Sequence, residues 1–86
     1  MCMFGPYVFV NAADHLTCGE DAYRFQGETT RGVVIEEGTW VGAKATILDG
    51  VHIGRRAVIG AHSLVNRDVA DRSVAVGAPA RIVRKG

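Results

Sequence analysis

Ile35, Val41, Ile47, Ile53, Ile59 and Val65 stand six residues apart without a miss, and this spacing leaves few folds open to the chain. Isoleucine and valine fill 17 of the 86 positions, roughly a fifth, so six successive hits in one frame would arise by chance about six times in 100,000. An α-helix asks for apolar residues three and four apart, which a spacing of six does not supply. A flat strand asks for a spacing of two and so tolerates six, but strands run for about 3–10 residues, far short of this pattern. A backbone that turns a corner every six residues meets both conditions.

The companions of the aliphatic residues support corners. Gly42, Gly54 and Gly60 each follow an aliphatic position, where a corner can demand a positive φ that glycine adopts at no steric cost. Two residues before the aliphatic positions stand the compact side chains of Thr39, Ala45, Val51, Ala57 and Ser63, suited to the crowded inside of a bend. A small β-sandwich is the ordinary alternative, but its turn signals fall about 8–12 residues apart.

The frame also runs upstream, where Phe4 and Val10 are six apart and Gly5 follows the first. Val10 and Ile35 are not separated by a multiple of six, so an insertion interrupts the pattern. The polar, glycine-bearing segment 16–32 is the expected loop, and a loop of that length is more often functional than idle. Regular hexads are expected over 35–70. Asp71 then breaks the frame and opens a C-terminal segment, 71–86. The whole chain, 1–86, reads as one domain.

Composition excludes several function classes. A formal net charge of +1 offers no large footprint for nucleic acid. No run of about 18 apolar residues is present, and the first ten residues lack the basic flank and cleavage site of a leader, so a cytoplasmic protein without a membrane partner is expected. Cys2 and Cys18 form no CxxC pair and bring no further cysteines for a zinc site, so reduced, structural thiols are the default and no metal is expected. A chain this short buries only about 60% of the surface its unfolded form exposes, which favours an oligomer.

The order GVVIEEGTWVGAKATILDGVHIGRRAVIGAHSLVNRDVADRSVAVGAPARIVRK resembles the C-terminal part of the hexapeptide-repeat acetyltransferases, in particular the maltose, galactoside and polysaccharide O-acetyltransferases. The shared features are a Trp entering a coil, a Gly-Val-x-Ile-Gly turn, an Ile-Gly-Ala-x-Ser run, an Asp, and Gly-x-Pro-Ala followed by a basic residue. The resemblance implies an all-β fold, a left-handed parallel β-helix in which three hexads make one triangular coil, with a protruding loop and a short C-terminal segment. It implies acetyl-CoA as cosubstrate and a small-molecule or sugar hydroxyl as acceptor. It also implies a homotrimer with active sites between subunits.

The same resemblance places the catalytic histidine where the long loop leaves the coil, at His15. Imidazole suits that task because it titrates near neutral pH, can take the hydroxyl proton during attack on the thioester, and can return it to the departing thiolate. His52 and His62 sit at different places in their hexads and are expected as exposed polar residues, and the histidine set of the zinc carbonic anhydrases of this fold is missing. A nucleophilic pair of His15 and Cys18 is the weaker reading of the same loop.

For the coenzyme, the family's contacts fall on Ala43 and Ala61, one 18-residue coil apart, whose small side chains would leave backbone groups open to the pantetheine arm. Asn66 and Arg67 stand where the family usually has Thr-Lys, and Arg81 and Arg84 match its basic C-terminal positions, where guanidinium groups suit phosphate oxygens. The N-terminal coils of the family are absent from this sequence. The alternative reading is therefore a truncated, noncatalytic hexapeptide trimer that retains CoA binding.

Overall fold

The computed structural model describes residues 2–11, 16–18 and 32–85. They form eleven short strands: β1 (Met3–Phe4), β2 (Phe9–Val10), β3 (Leu16–Cys18), β4 (Val33–Ile35), β5 (Trp40–Val41), β6 (Thr46–Ile47), β7 (His52–Ile53), β8 (Val58–Ile59), β9 (Leu64–Val65), β10 (Val74–Gly77) and β11 (Ala80–Arg84). Consecutive strands pair with each other only at β3–β4 and at β10–β11. The strands are distributed over three sheets, ordered β1-β5-β8-β10-β11, β2-β6-β9 and β3-β4-β7. Every pairing except the β10–β11 hairpin is parallel. The architecture is the left-handed parallel β-helix that the family resemblance implied.

Register follows the sequence frame. Val41 pairs with Ile59, Ile47 with Val65 and Ile35 with Ile53, each pair one coil of 18 residues apart. The six frame residues are essentially inaccessible to solvent and stack in columns inside the prism. Burying each such side chain contributes about 1.5–3 kcal/mol. Thr39, Ala45, Val51, Ala57 and Ser63 are buried beside them at the insides of the bends.

The corners differ from expectation in one respect. Positive φ falls two residues further on than Gly42, Gly54 and Gly60, at Gly38, Lys44, Gly50, Arg56, His62 and Arg72. The three glycines are needed for space instead. A Cβ on Gly42 would lie 2.6 Å from the Ala61 nitrogen in the next coil, and one on Gly54 would strike the Asp71 carboxylate and lie 2.6 Å from the Asp71 nitrogen.

Two boundaries also move. Leu16–Cys18 is a strand and not the start of the loop: it pairs along β4, with Leu16 opposite Val33 and Cys18 opposite Ile35. That offset of 17 residues is out of phase with the hexads, which hid the strand from a period-six reading. Residues 19–31 of the expected loop lie outside the described residues. Downstream, the frame does not end at Asp71 but resumes two residues early, with Val69 bridged to Ile53 and Ala75 paired with Ile59. Val69 and Ala75 are buried like the frame residues before them. At the shortened corner, carboxylates do part of the work of the backbone: Asp68 Oδ1 accepts from His52 N at 2.8 Å and Asp71 Oδ1 from Arg55 N at 2.9 Å. The segment after Asp71 thus contains one more coil strand, β10, and then β11, which folds back to cover the edge that β10 would otherwise expose. Among the described residues, no helix is long and apolar enough to cross a membrane.

Candidate functional site

The β10–β11 hairpin borders an open groove. Gly77 N donates to Ser63 Oγ at 3.2 Å, and Val76 packs so tightly on Gly60 that any Cβ there would overlap it. The hairpin is therefore held against the corner that leads into β9. The chain leaves β9 through exposed Asn66 and Arg67, and these two residues face Pro79, Ala80, Arg81 and Ile82 across an open groove of about 580 Å³. Three of the residues singled out in the sequence, Asn66, Arg67 and Arg81, are thus brought together although 15 positions separate the first from the last. Arg84 lies at the other end of β11, opposite Val74, and does not line the groove. The groove thus carries two guanidinium groups and an amide, donor groups of the kind that suit phosphate oxygens.

Ala43 and Ala61 occupy a neighbouring corner. They stack one above the other: His62 N donates to the Ala43 carbonyl at 2.9 Å, and the backbone of Ala61 passes directly over Gly42. The Ala43 carbonyl is therefore engaged within the coil, which narrows the expectation of open backbone groups at this corner. His15 lies outside the described residues. The strand that follows it begins beside the Gly32–Val33 end of β4, where Gly32 N donates to Asp49 Oδ1 at 2.6 Å.

A second cluster escaped the sequence reading. Glu36 follows Ile35 at the place where other hexads carry glycine, and its side chain is only 7% exposed. Its Oε2 lies 2.5 Å from His52 Nε2 and its Oε1 accepts from Arg55 Nε at 3.3 Å. His52 is therefore not simply an exposed polar residue; it partners a buried carboxylate, with Arg55 completing the charge balance. His62, by contrast, is exposed and takes a positive φ of 62°. The signal for this cluster was present in the sequence as a carboxylate in a glycine slot. Among the described residues, no group of three or more His, Cys, Asp or Glu side chains is arranged to hold a metal ion.

Trp40, on β5, stands between Met3 and Val58 on the outer face of the largest sheet and is 55% exposed. Met3 and, on the adjoining sheet, Phe9 are also largely exposed. The coil thus presents apolar side chains outward as well as inward.

Residues 32–67 match the family model described as bacterial transferase hexapeptide, six repeats. The chain is a hexapeptide-repeat protein. It is 42% identical over 83 residues to a galactoside O-acetyltransferase of Lactococcus lactis, a match covering 96% of this chain and 40% of that protein. Among solved structures it superposes on a maltose O-acetyltransferase from Clostridium difficile with a TM-score of 0.70 and 26% identity, covering 98% of this chain and 44% of the other. A hexapeptide-repeat acetyltransferase from Vibrio cholerae, solved with acetyl coenzyme A, gives a TM-score of 0.64 at 29% identity, over 98% of this chain and 60% of that one. The chain therefore spans about two fifths of the galactoside relative's length.

Proposed function

We propose that the protein transfers an acetyl group from acetyl-CoA to a hydroxyl of a small molecule or sugar in the cytoplasm, with His15 as general base. The observation that carries this reading is the groove that unites Asn66, Arg67 and Arg81, because it offers two cations and an amide to a phosphate-bearing ligand beside a coil of acetyltransferase type. In the proposed reaction His15 removes the acceptor's proton as its oxygen attacks the thioester carbonyl. The tetrahedral intermediate then collapses, and the thiolate of CoA leaves with the proton that the imidazolium returns. Ala43 and Ala61 would flank the pantetheine arm, and Arg84 would act at a distance, through the surrounding field. A homotrimer would complete the site, each subunit supplying one wall.

The second reading is a noncatalytic trimer that retains CoA binding, and it is favoured by one observation: the groove of Asn66, Arg67 and Arg81 offers charge and hydrogen bonds to phosphates but no histidine or other general base among the described residues that line it. Thiol release from acetyl-CoA, measured against a panel of sugar and small-molecule alcohols, separates the two. Catalysis predicts acceptor-dependent release that falls by about 10²–10⁴ in His15→Ala with CoA affinity nearly unchanged. CoA binding without release by the wild-type chain would support the scaffold. Release that is unaffected in His15→Ala would remove the histidine from the mechanism.

A further inference from the structure

The two cysteines occupy matched places at β1 and β3, the outermost described strands of their sheets. Cys18 pairs with Ile35, and side chains of paired parallel residues point to the same side of a sheet, so Cys18 faces the interior as Ile35 does. It is nevertheless exposed, because β3 is the outermost strand of its sheet. Cys2 precedes Met3, which pairs with Trp40, so Cys2 stands one coil before Thr39. Its contacts confirm the equivalence. Thr39 Oγ1 donates to the Gly54 carbonyl at 2.7 Å, and Cys2 Sγ reaches the Glu36 carbonyl, the same place one coil earlier, at 3.7 Å. Cys2 Sγ also lies 3.5 Å from the carbonyl of Ile35, the residue that Cys18 flanks as its strand partner.

Ile35 and Thr39 are the two core-facing residues on either side of a single corner. Cys18 and Cys2 hold those two places one coil earlier, at a corner the chain itself does not bridge, because β1 precedes β3 in sequence. We propose that Cys2 and Cys18 form a reversible disulfide that closes this corner and clasps β3 to β1. With a small-molecule disulfide such as oxidised glutathione as oxidant, one cysteine thiolate attacks it, forming a mixed disulfide and releasing one glutathione thiolate. The second cysteine thiolate then attacks the protein sulfur of that mixed disulfide, forming the Cys2–Cys18 bond and expelling the second glutathione thiolate. Each protein thiol loses a proton and each glutathione gains one, so two protein thiols are oxidised and one small disulfide is reduced. The bond would close residues 2–18 into a ring and restrict the unfolded chain accordingly.

The test is exposure of the intact chain to oxidised glutathione, followed by alkylation of remaining thiols, intact mass and peptide mapping. The expected result is a monomeric chain that has lost two hydrogens, accepts no alkylating group, yields a linked Cys2–Cys18 peptide, and accepts two alkylating groups after dithiothreitol. Cys2→Ser and Cys18→Ser should each stop at one glutathione adduct, and the oxidised wild-type chain should melt about 10 °C above the reduced one. Two glutathione adducts on one wild-type chain, or a disulfide joining two copies, would overturn the proposal. So would two alkylatable thiols persisting at a strongly oxidising glutathione ratio.

Discussion

At Gly42 the coil is closed by an absence. The next coil passes so near that a Cβ would sit 2.6 Å from the Ala61 nitrogen and 2.9 Å from its Cα, and both obstacles are backbone atoms that cannot rotate aside. Gly42→Ala should therefore force the two coils apart and destabilise the fold by about 1–3 kcal/mol, as overpacking generally does. The opposite holds at Arg72, exposed with a φ of 59°, where an L-residue carries a left-handed strain of about 1–2 kcal/mol that glycine does not. Arg72→Gly recovers that strain but enlarges the unfolded ensemble, so a net stabilisation of about 0.5 kcal/mol is expected. Urea unfolding of the two variants checks both signs. Destabilisation by Arg72→Gly would contradict the strain assigned to its φ, and an unchanged Gly42→Ala would contradict the role assigned to coil spacing. Glu36 shows the same economy of space from the other side: a carboxylate fits a glycine slot there because its side chain finds His52 and Arg55.

Elements of two residues cannot be stable alone, and each is held by the coils on either side of it. This explains what was legible in the sequence. The columns Ile35–Ile53, Val41–Ile59 and Ile47–Val65 join the period of six, read from the residues, to the three hexads per coil that the family resemblance implied, and from the two together the register could be read in advance. Departures in phase could not. Leu16–Cys18 joins β4 at an offset of 17, and Val69 arrives two residues early, because pairing and burial decide those places and no local motif announces them. The candidate groove was partly legible: Asn66, Arg67 and Arg81 came from a family likeness, whereas the exclusion of Arg84 required knowing which way β11 runs. The shortened corner gives an element-scale prediction. Asp68→Ala removes the acceptor of His52 N and should lower stability by about 1 kcal/mol, with Asp68→Asn close to wild type because an amide oxygen can still accept. Thermal unfolding of the pair decides it, and equal losses in both would assign the effect to charge.

For the whole molecule, the outward apolar residues matter most. Met3, Trp40 and Phe9 are more exposed than side chains of their size usually are, and the core inside the prism is only a few residues wide. Association of copies would cover part of this surface, in keeping with the proposed trimer. Sedimentation at micromolar concentration should show a trimer, and Trp40→Glu should shift it toward monomer if β5 faces a neighbour. A folded wild-type monomer would contradict this part of the account.

The most direct test of the central claim is a calorimetric titration of CoA into the wild-type chain and into Arg81→Ala and Arg84→Ala. Arg81 lines the groove with Asn66 and Arg67, whereas Arg84 sits beyond it. A charge-assisted hydrogen bond contributes about 1.5–3 kcal/mol when desolvated and less at an exposed site, so Arg81→Ala should weaken CoA about 5-fold to 10-fold. Arg84→Ala should change affinity by less than about 2-fold at 0.15 M salt, where a charge outside the groove is largely screened. The account predicts that order. No binding of CoA by the wild-type chain, or equal affinity in wild type and Arg81→Ala, would contradict it.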